Sequence, residues 1–269
     1  MELTNEGRGE AVRRSRRLAV LIDADNTSPK WADAIFQEVA TFGDAIVRRI
    51  YGDFASGGLK GWEDVLRSHA VIPHHQIAYT KGKNSSDIAL VIDAMDLLHS
   101  GPCEGFVLVS SDSDFTRLAS RAREAGLDVF GIGEKKTPDA FRKACKRFIF
   151  VENLLAEDIE ADEEGGRQPE NIEAGQQGAH QPNVATSDGG MKKFPPSKVV
   201  PLVRKAMANP DGEEWVSLSA VGSYLHRADP EFDVRAYGCA KLSDLVERTG
   251  NFEVDRKRNR LRVKDRPSR

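Results

Sequence analysis

The hydrophobic positions of this chain form short runs separated by segments of helical period, alternating from Arg17 to about residue 156. Runs rich in Val, Ile and Leu at residues 18–22, 45–50, 71–77, 106–110, 129–132 and 148–151 predict strands buried on both faces, as in a parallel sheet. Between them, apolar residues spaced by three and four predict helices at 31–41, 61–68, 86–99, 115–125 and 138–144. Strands and helices in this rhythm make an α/β fold, a mostly parallel sheet flanked by helices.

The pattern fails at both ends of this region. Residues 1–16 are polar and read as a disordered arm, and residues 157–193, rich in Glu, Gly, Gln and Asn, read as a flexible linker. Periodicity resumes at Phe194. A helix opening at Pro196 and Ser197 carries Val199, Val200, Leu202, Val203 and Met207. After Trp215-Val-Ser-Leu218 come helices at 219–227 and 234–248. The segment Phe252-Glu-Val-Asp-Arg-Lys-Arg-Asn-Arg-Leu-Arg-Val263 reads as two alternating strands around a basic turn. Three helices followed by a hairpin is the order of a small C-terminal winged-helix domain, here residues 194–265. The expected organisation is therefore an arm, a domain at 17–156, a linker and a winged helix.

Charge sharpens this division. The net charge of −3 hides a balanced first domain, with 21 Lys and Arg against 21 Asp and Glu in residues 1–151. Residues 152–190 hold 1 against 10, and residues 191–269 hold 17 against 11. A basic tail module is compatible with nucleic acid. The three cysteines, Cys103, Cys145 and Cys239, are isolated, which indicates neither a disulfide framework nor a cysteine zinc site. No apolar run approaches the roughly 20 residues of a membrane span, and the arginine-rich start lacks a signal-peptide core. A cytoplasmic protein without membrane contact is expected.

Two strands end in clustered carboxylates: Leu21-Ile-Asp-Ala-Asp-Asn26 and Leu108-Val-Ser-Ser-Asp-Ser-Asp114. Ligands of open α/β sheets bind outside the strand carboxyl ends, so Asp23, Asp112 and Asp114 are predicted to line such a crevice. Asp87 heads a helix whose apolar stripe is Leu90, Val91, Ala94, Leu97 and Leu98, which aims it at the sheet end; Asp96 falls opposite and Asp93 well off the stripe. Single acids here also serve as turn residues or helix caps, a role open to Asp25, Asn26, Asp87, Asp112 and Asp114 individually. Caps need one acid per helix, whereas these acids come in pairs after two strands. Oxygen-only ligands at this density suit Mg²⁺ or Mn²⁺, whose chemistry is displacement at phosphorus. No lysine-containing phosphate loop is present.

These motifs, with Lys81-Gly-Lys-Asn-Ser-Ser-Asp87 between them, resemble the three motifs of NYN domains, PIN-like ribonucleases with a Rossmannoid sheet and a metal-binding acid cluster. The resemblance spans about 135 residues. It implies that Asp23, Asp87, Asp112 and Asp114 are the metal ligands and Asn26 the polar residue near the substrate phosphate. Ala24 and Ser111 stand where many relatives have Gly, and both are small. The additional Asp25 leaves two acids competing in the first motif, of which Asp23 is the expected ligand. Residues near 195–265 are similar, more loosely, to the LOTUS or OST-HTH domain, through Trp215-Val-Ser-Leu218, Tyr237-Gly-Cys-Ala-Lys-Leu-Ser-Asp-Leu245 and Phe252-Glu-Val. That resemblance implies binding of RNA or of a protein partner.

Further signals keep a functional and a structural reading side by side. Lys81 and Lys83 flank a glycine before Asp87 and are candidates to guide RNA phosphates, as, less directly, are Arg48 and Arg49. The basic tract with Arg256, Arg258 and Arg260 either straddles a nucleic acid backbone or protects an edge strand. His74-His75 shows no paired acid at a diagnostic spacing and reads as a surface pair, while Trp31, Trp62 and Trp215 read as packing anchors. Asp23-Ala-Asp25-Asn-Thr27 also fits the nucleophile motif of haloacid-dehalogenase-like phosphatases, with Lys135 or Lys136 available but no later acid pair in the domain. The expected function is a metal-dependent ribonuclease acting on single-stranded RNA. Its alternatives are a non-catalytic RNA-binding adaptor and that phosphatase; a homo-oligomer stays open.

Overall fold

The computed structural model describes residues 14–53, 61–75, 85–154, 193–207, 215–255 and 262–265. Its first strand, β1 (Arg17–Asp23), is buried at every position after Arg17, which requires cover on both faces of the sheet. The cover comes from helices placed between parallel strands: α1 (Ala32–Phe42), β2 (Asp44–Gly52), α2 (Trp62–Ser68), β3 (Ile72–His75), α3 (Ser85–Ser100) and β4 (Gly105–Val109). The series continues with α4 (Thr116–Glu124), β5 (Asp128–Gly133), α5 (Asp139–Ala144), β6 (Arg147–Phe150) and the single turn α6 (Val151–Leu154). Each predicted element of the first domain is present with its ends moved by one or two residues. The expected third strand reached to residue 77, and positions 76 and 77 lie outside the described residues.

All five pairings of the six-stranded sheet are parallel, in the order β3-β2-β1-β4-β5-β6. The strand order reverses between β1 and β4, and this is where a ligand crevice opens at the carboxyl ends. Alternate residues divide the core. Ala19, Leu21, Tyr51, Phe106 and Leu108 pack with Leu90 and Ala94 of α3 and with Phe115 and Leu118 on one face. On the other, Phe42 of α1 stacks on Phe130 of β5 with ring centroids 4.5 Å apart. Each fully buried leucine or phenylalanine among them contributes roughly 1.5–3 kcal/mol.

The chain divides into two compact units, Met1–Val151 and Glu152–Arg269. In the second, α7 (Val200–Met207), β7 (Val216–Ser217), α8 (Leu218–Ala228), α9 (Leu242–Arg248), β8 (Phe252–Asp255) and β9 (Arg262–Asp265) form a helical group with a three-stranded sheet ordered β7-β9-β8. Val203, Val221, Leu225, Leu245 and Phe252 are its core. Two expectations change here. The helix predicted at 234–248 is broken: a 3-10 turn, Val234–Tyr237, ends at Gly238 with φ 68°, and α9 starts only at Leu242. Glycine is the residue that accepts this left-handed conformation without strain. The predicted two-strand hairpin gains a third strand, because Val216 and Ser217 pair with Val263 and Arg262.

Candidate active site

The site is built outward from Asp23, the last residue of β1, beside the reversal of strand order. Its side chain is 1% exposed and accepts four hydrogen bonds. Oδ1 takes the backbone N–H of Asp25 (3.1 Å) and of Asn26 (3.2 Å); Oδ2 takes Asn26 Nδ2 (2.8 Å) and Ser110 Oγ (2.6 Å). Burial pushes the Asp23 carboxyl up from its ordinary range, while the bonds from Ser110 and Asn26 pull it back down.

Ser110 follows β4 and connects two acid motifs. Its Oγ donates to Asp23 and accepts the backbone N–H of Asp112 at 3.0 Å. Asp112 then caps the 3-10 turn Ser113–Phe115, its Oδ1 accepting the Asp114 N–H at 2.9 Å. The cap and the pairing therefore coexist: Asp112 keeps one oxygen engaged with the backbone and remains half-buried at the crevice. The head of α3 joins from a third element, with Ser86 Oγ donating to Asp25 Oδ2 at 2.7 Å. Asp87, the next residue, is half-buried, and its carboxyl is pushed up to about 6, first by burial and then by the charges of Asp23, Asp112, Asp25 and Asp114. Among the described residues no hydrogen bond or ion pair reaches the Asp87 side chain.

The structure thus brings together Asp23, Asp87, Asp112 and Asp114, with Asp25 and an exposed Asn26 beside them. Asn26 Nδ2 is committed to Asp23. Lys81, Lys83, Arg256, Arg258 and Arg260 lie outside the described residues. The donor set is all oxygen, and a half-buried Asp87 among like charges gains from a cation. Among the described residues no three acids are close enough to form a ready-made cage. Mg²⁺ does not demand one, since it keeps several waters and takes one or two carboxylates from the protein. Asp87, Asp112 and Asp114 carry carboxylates that would supply one or two such ligands, while both oxygens of Asp23 accept hydrogen bonds from the protein. A carboxylate has about four lone-pair positions, and Asp23 spends all four on protein donors. The same four bonds and 1% exposure leave Asp23 poorly placed as a phosphatase nucleophile, and Lys136 pairs with Glu134 at 2.8 Å.

Several residues take roles that the sequence reading did not give them. Asp93, expected well off the apolar stripe, faces the β2–β3 edge. Its Oδ2 accepts Tyr51 Oη (2.8 Å) and Arg49 Nη1 (3.0 Å) and lies 3.0 Å from His74 Nδ1. His74 is therefore not an unpaired surface residue, and Arg49 is not free to guide phosphates. Arg48 also does structural service: it donates to the carbonyls of Ala45 and His69 and lies over the Phe36 ring. An acid off the stripe, on a helix next to a strand that carries an arginine, was the available signal for Asp93. Ser86 and Ser110 had none beyond their place at element ends.

The NYN domain family model matches residues 17–155, and the OST-HTH/LOTUS domain family model matches residues 191–263. No curated protein matches the chain. Among solved structures, a protein of unknown function from Vibrio parahaemolyticus is similar, with 19% identity over 51% of this chain and 93% of that chain and a TM-score of 0.42. Among the described residues no helix is long and apolar enough to cross a membrane.

Proposed function

The chain belongs to the NYN domain family and carries an OST-HTH/LOTUS domain, and from that premise we propose that it is a metal-dependent ribonuclease that hydrolyses phosphodiester bonds of single-stranded RNA. The observation that carries the reading is the convergence of acids from β1, β4 and the head of α3 at the reversal of strand order, where burial first and the neighbouring carboxylates second push Asp87 up to about 6. A divalent cation there, Mg²⁺ or Mn²⁺, would supply hydroxide near neutral pH and offset charge at the phosphate. One or two of the carboxylates of Asp87, Asp112 and Asp114 would hold it, with water completing its shell. Asp23 acts one layer back: its four hydrogen bonds fix the turn after β1 and, through Ser110, the backbone that presents Asp112. Asn26, exposed and held by its bond to Asp23, would in this reading be the polar residue that meets the substrate phosphate.

The C-terminal domain serves in this reading as an RNA-binding module, tethered by residues that hold the two units at high local concentration. Labelled single-stranded RNA incubated with the full chain and Mn²⁺ or Mg²⁺ tests the proposal. Cleavage that disappears with EDTA and in Asp112→Asn supports it. Cleavage that persists in Asp112→Asn assigns the wrong site, and retained binding without cleavage makes the chain an adaptor.

A further inference from the structure

Beside the acids lies a groove of about 220 Å³, lined by Asp87, Ile88, Val91, Ile92, Asp114 and Phe115. Phe115, 1% exposed, is its floor. Ile88 and Ile92, one helical turn apart on α3, are 60% and 56% exposed, although the same helix buries Leu90, Ala94 and Leu97 against the sheet. Single exposed aliphatics are ordinary, but two that border one concavity form an apolar wall that water covers poorly. Asp87 and Asp114 belong both to this groove and to the acid cluster, so the two sites are continuous.

We infer that the groove seats one nucleobase of the RNA strand, that of a nucleotide flanking the phosphate held at the acids. The inference rests on the ribonuclease reading. A strand placed with a phosphate at Asp87, Asp112 and Asp114 must send its neighbouring base somewhere within one nucleotide, and the apolar slot shares Asp87 and Asp114 with that position. Unstacked bases of single strands dock flat against apolar and aromatic side chains. The carboxylates at the rim accept hydrogen bonds from base N–H groups and repel a phosphate, so the neutral part of the nucleotide is the part that fits. Its six lining residues are too few for a protein partner by themselves, because a stable interface takes about 20–30 residues on each side. Duplex RNA keeps its bases stacked inside the helix, so the slot also supplies a reason for a single-strand preference.

Photocrosslinking in Mg²⁺ with a strand that cannot be cleaved, 2′-O-methyl RNA, separates this inference from the question of catalysis. The single strand, containing 4-thiouridine, is irradiated with the full chain, and the linked peptides are identified by mass spectrometry. The expected products map to Ile88, Ile92 or Phe115, and their yield falls about tenfold in the double variant Ile88→Ala/Ile92→Ala. Both positions are exposed on a helix and alanine is a good helix former, so the variant keeps its circular dichroism spectrum. Crosslinks confined to other segments, or an unchanged yield in the variant, overturn the inference. Concentration-dependent dimerisation in sedimentation that the double variant abolishes also overturns it, since the face then belongs to a second copy. Crosslinking at α3 without cleavage of unmodified RNA in any metal sinks the nuclease and leaves the groove standing; cleavage without crosslinking at α3 or Phe115 does the reverse.

Discussion

Ser110 and Asp23, 87 positions apart in sequence, are joined by a 2.6 Å hydrogen bond across the two strands where the sheet reverses order. The bond couples the candidate acids to the fold, because the same hydroxyl also holds the Asp112 N–H. Ser110 is 1% exposed, so water has little access to replace it. Ser110→Ala is expected to cost about 2 kcal/mol in urea denaturation, the scale of losing a hydrogen bond to a buried charged group. RNA cleavage should fall with it, since Asp112 loses the anchor of its backbone. A variant as stable and active as the parent would show that this bond does not organise the crevice.

Asp87 makes the stability of the metal-free chain depend on pH. Its folded carboxyl sits at about 6 against 3.8 for an ordinary one, so between those values the folded state binds the extra proton. Stability is then greatest below about pH 4 as far as this group is concerned, and its share is lost as pH rises through 6. Asp87→Asn should flatten that slope in denaturation midpoints measured from pH 4 to 7. Millimolar Mg²⁺ or Mn²⁺ should flatten it in the parent chain as well, because a bound cation favours the charged carboxylate.

Periodicity alone located the sheet and its helices, because a strand such as β1, buried on both faces, leaves a continuous apolar run and a helix such as α1 leaves Ile35, Val39 and Phe42 at spacings of four and three. The acid motifs were legible for a similar reason: Asp23 and Asp112 end or follow strands whose carboxyl ends face one crevice. What stayed hidden depended on partners distant in sequence. Nothing local distinguishes Ser110 from a loop serine, yet its bond to Asp23 spans 87 positions. Asp93 looked peripheral because helix position says nothing about the Tyr51 hydroxyl waiting on β2, 42 positions earlier. The helix expected at 234–248 failed for a local reason, the left-handed Gly238, which apolar spacing does not register.

The Asp93 cluster should anchor α3, and with it Asp87, to the sheet. Tyr51 is fully buried, and burial together with its bond to Asp93 pushes the phenol well above its ordinary range. Asp93→Ala removes the shared acceptor and leaves the Tyr51 O–H without the carboxylate it donates to, with Arg49 uncompensated. The expected loss is about 2 kcal/mol, moderated by the partial exposure of the arginine, and thermal or urea unfolding measures it. Asp93→Asn retains one acceptor oxygen and should lose less. Equal losses in the two variants would mean that packing, not hydrogen bonding, makes Asp93 important.

Gly133, the last residue of β5, offers the sharpest separation of site from scaffold. A Cβ there would lie 2.5 Å from the Ser110 carbonyl oxygen, 3.0 Å from Thr137 Oγ1 and 3.1 Å from Phe148 Cζ. The strands carry no slack at this point, because Ser110 N–H donates to the Ile132 carbonyl at 3.0 Å and Glu134 N–H to Ser111 Oγ at 2.9 Å. Gly133→Ala must push the Ser110 segment away from β5 and thereby move the backbone that carries Asp112. The cost should be that of overpacking, roughly 1–3 kcal/mol, together with a loss of cleavage larger than the change in stability explains. Gly101 is the control: its φ is +74° with nothing within 4 Å of an added Cβ, so Gly101→Ala pays only for the left-handed conformation, about 1 kcal/mol. Parallel unfolding and cleavage measurements should therefore show both variants destabilised and only Gly133→Ala impaired in catalysis per folded molecule. Equal specific activities would mean that the crevice tolerates displacement of the β4 terminus and that Ser110 positions nothing the chemistry needs.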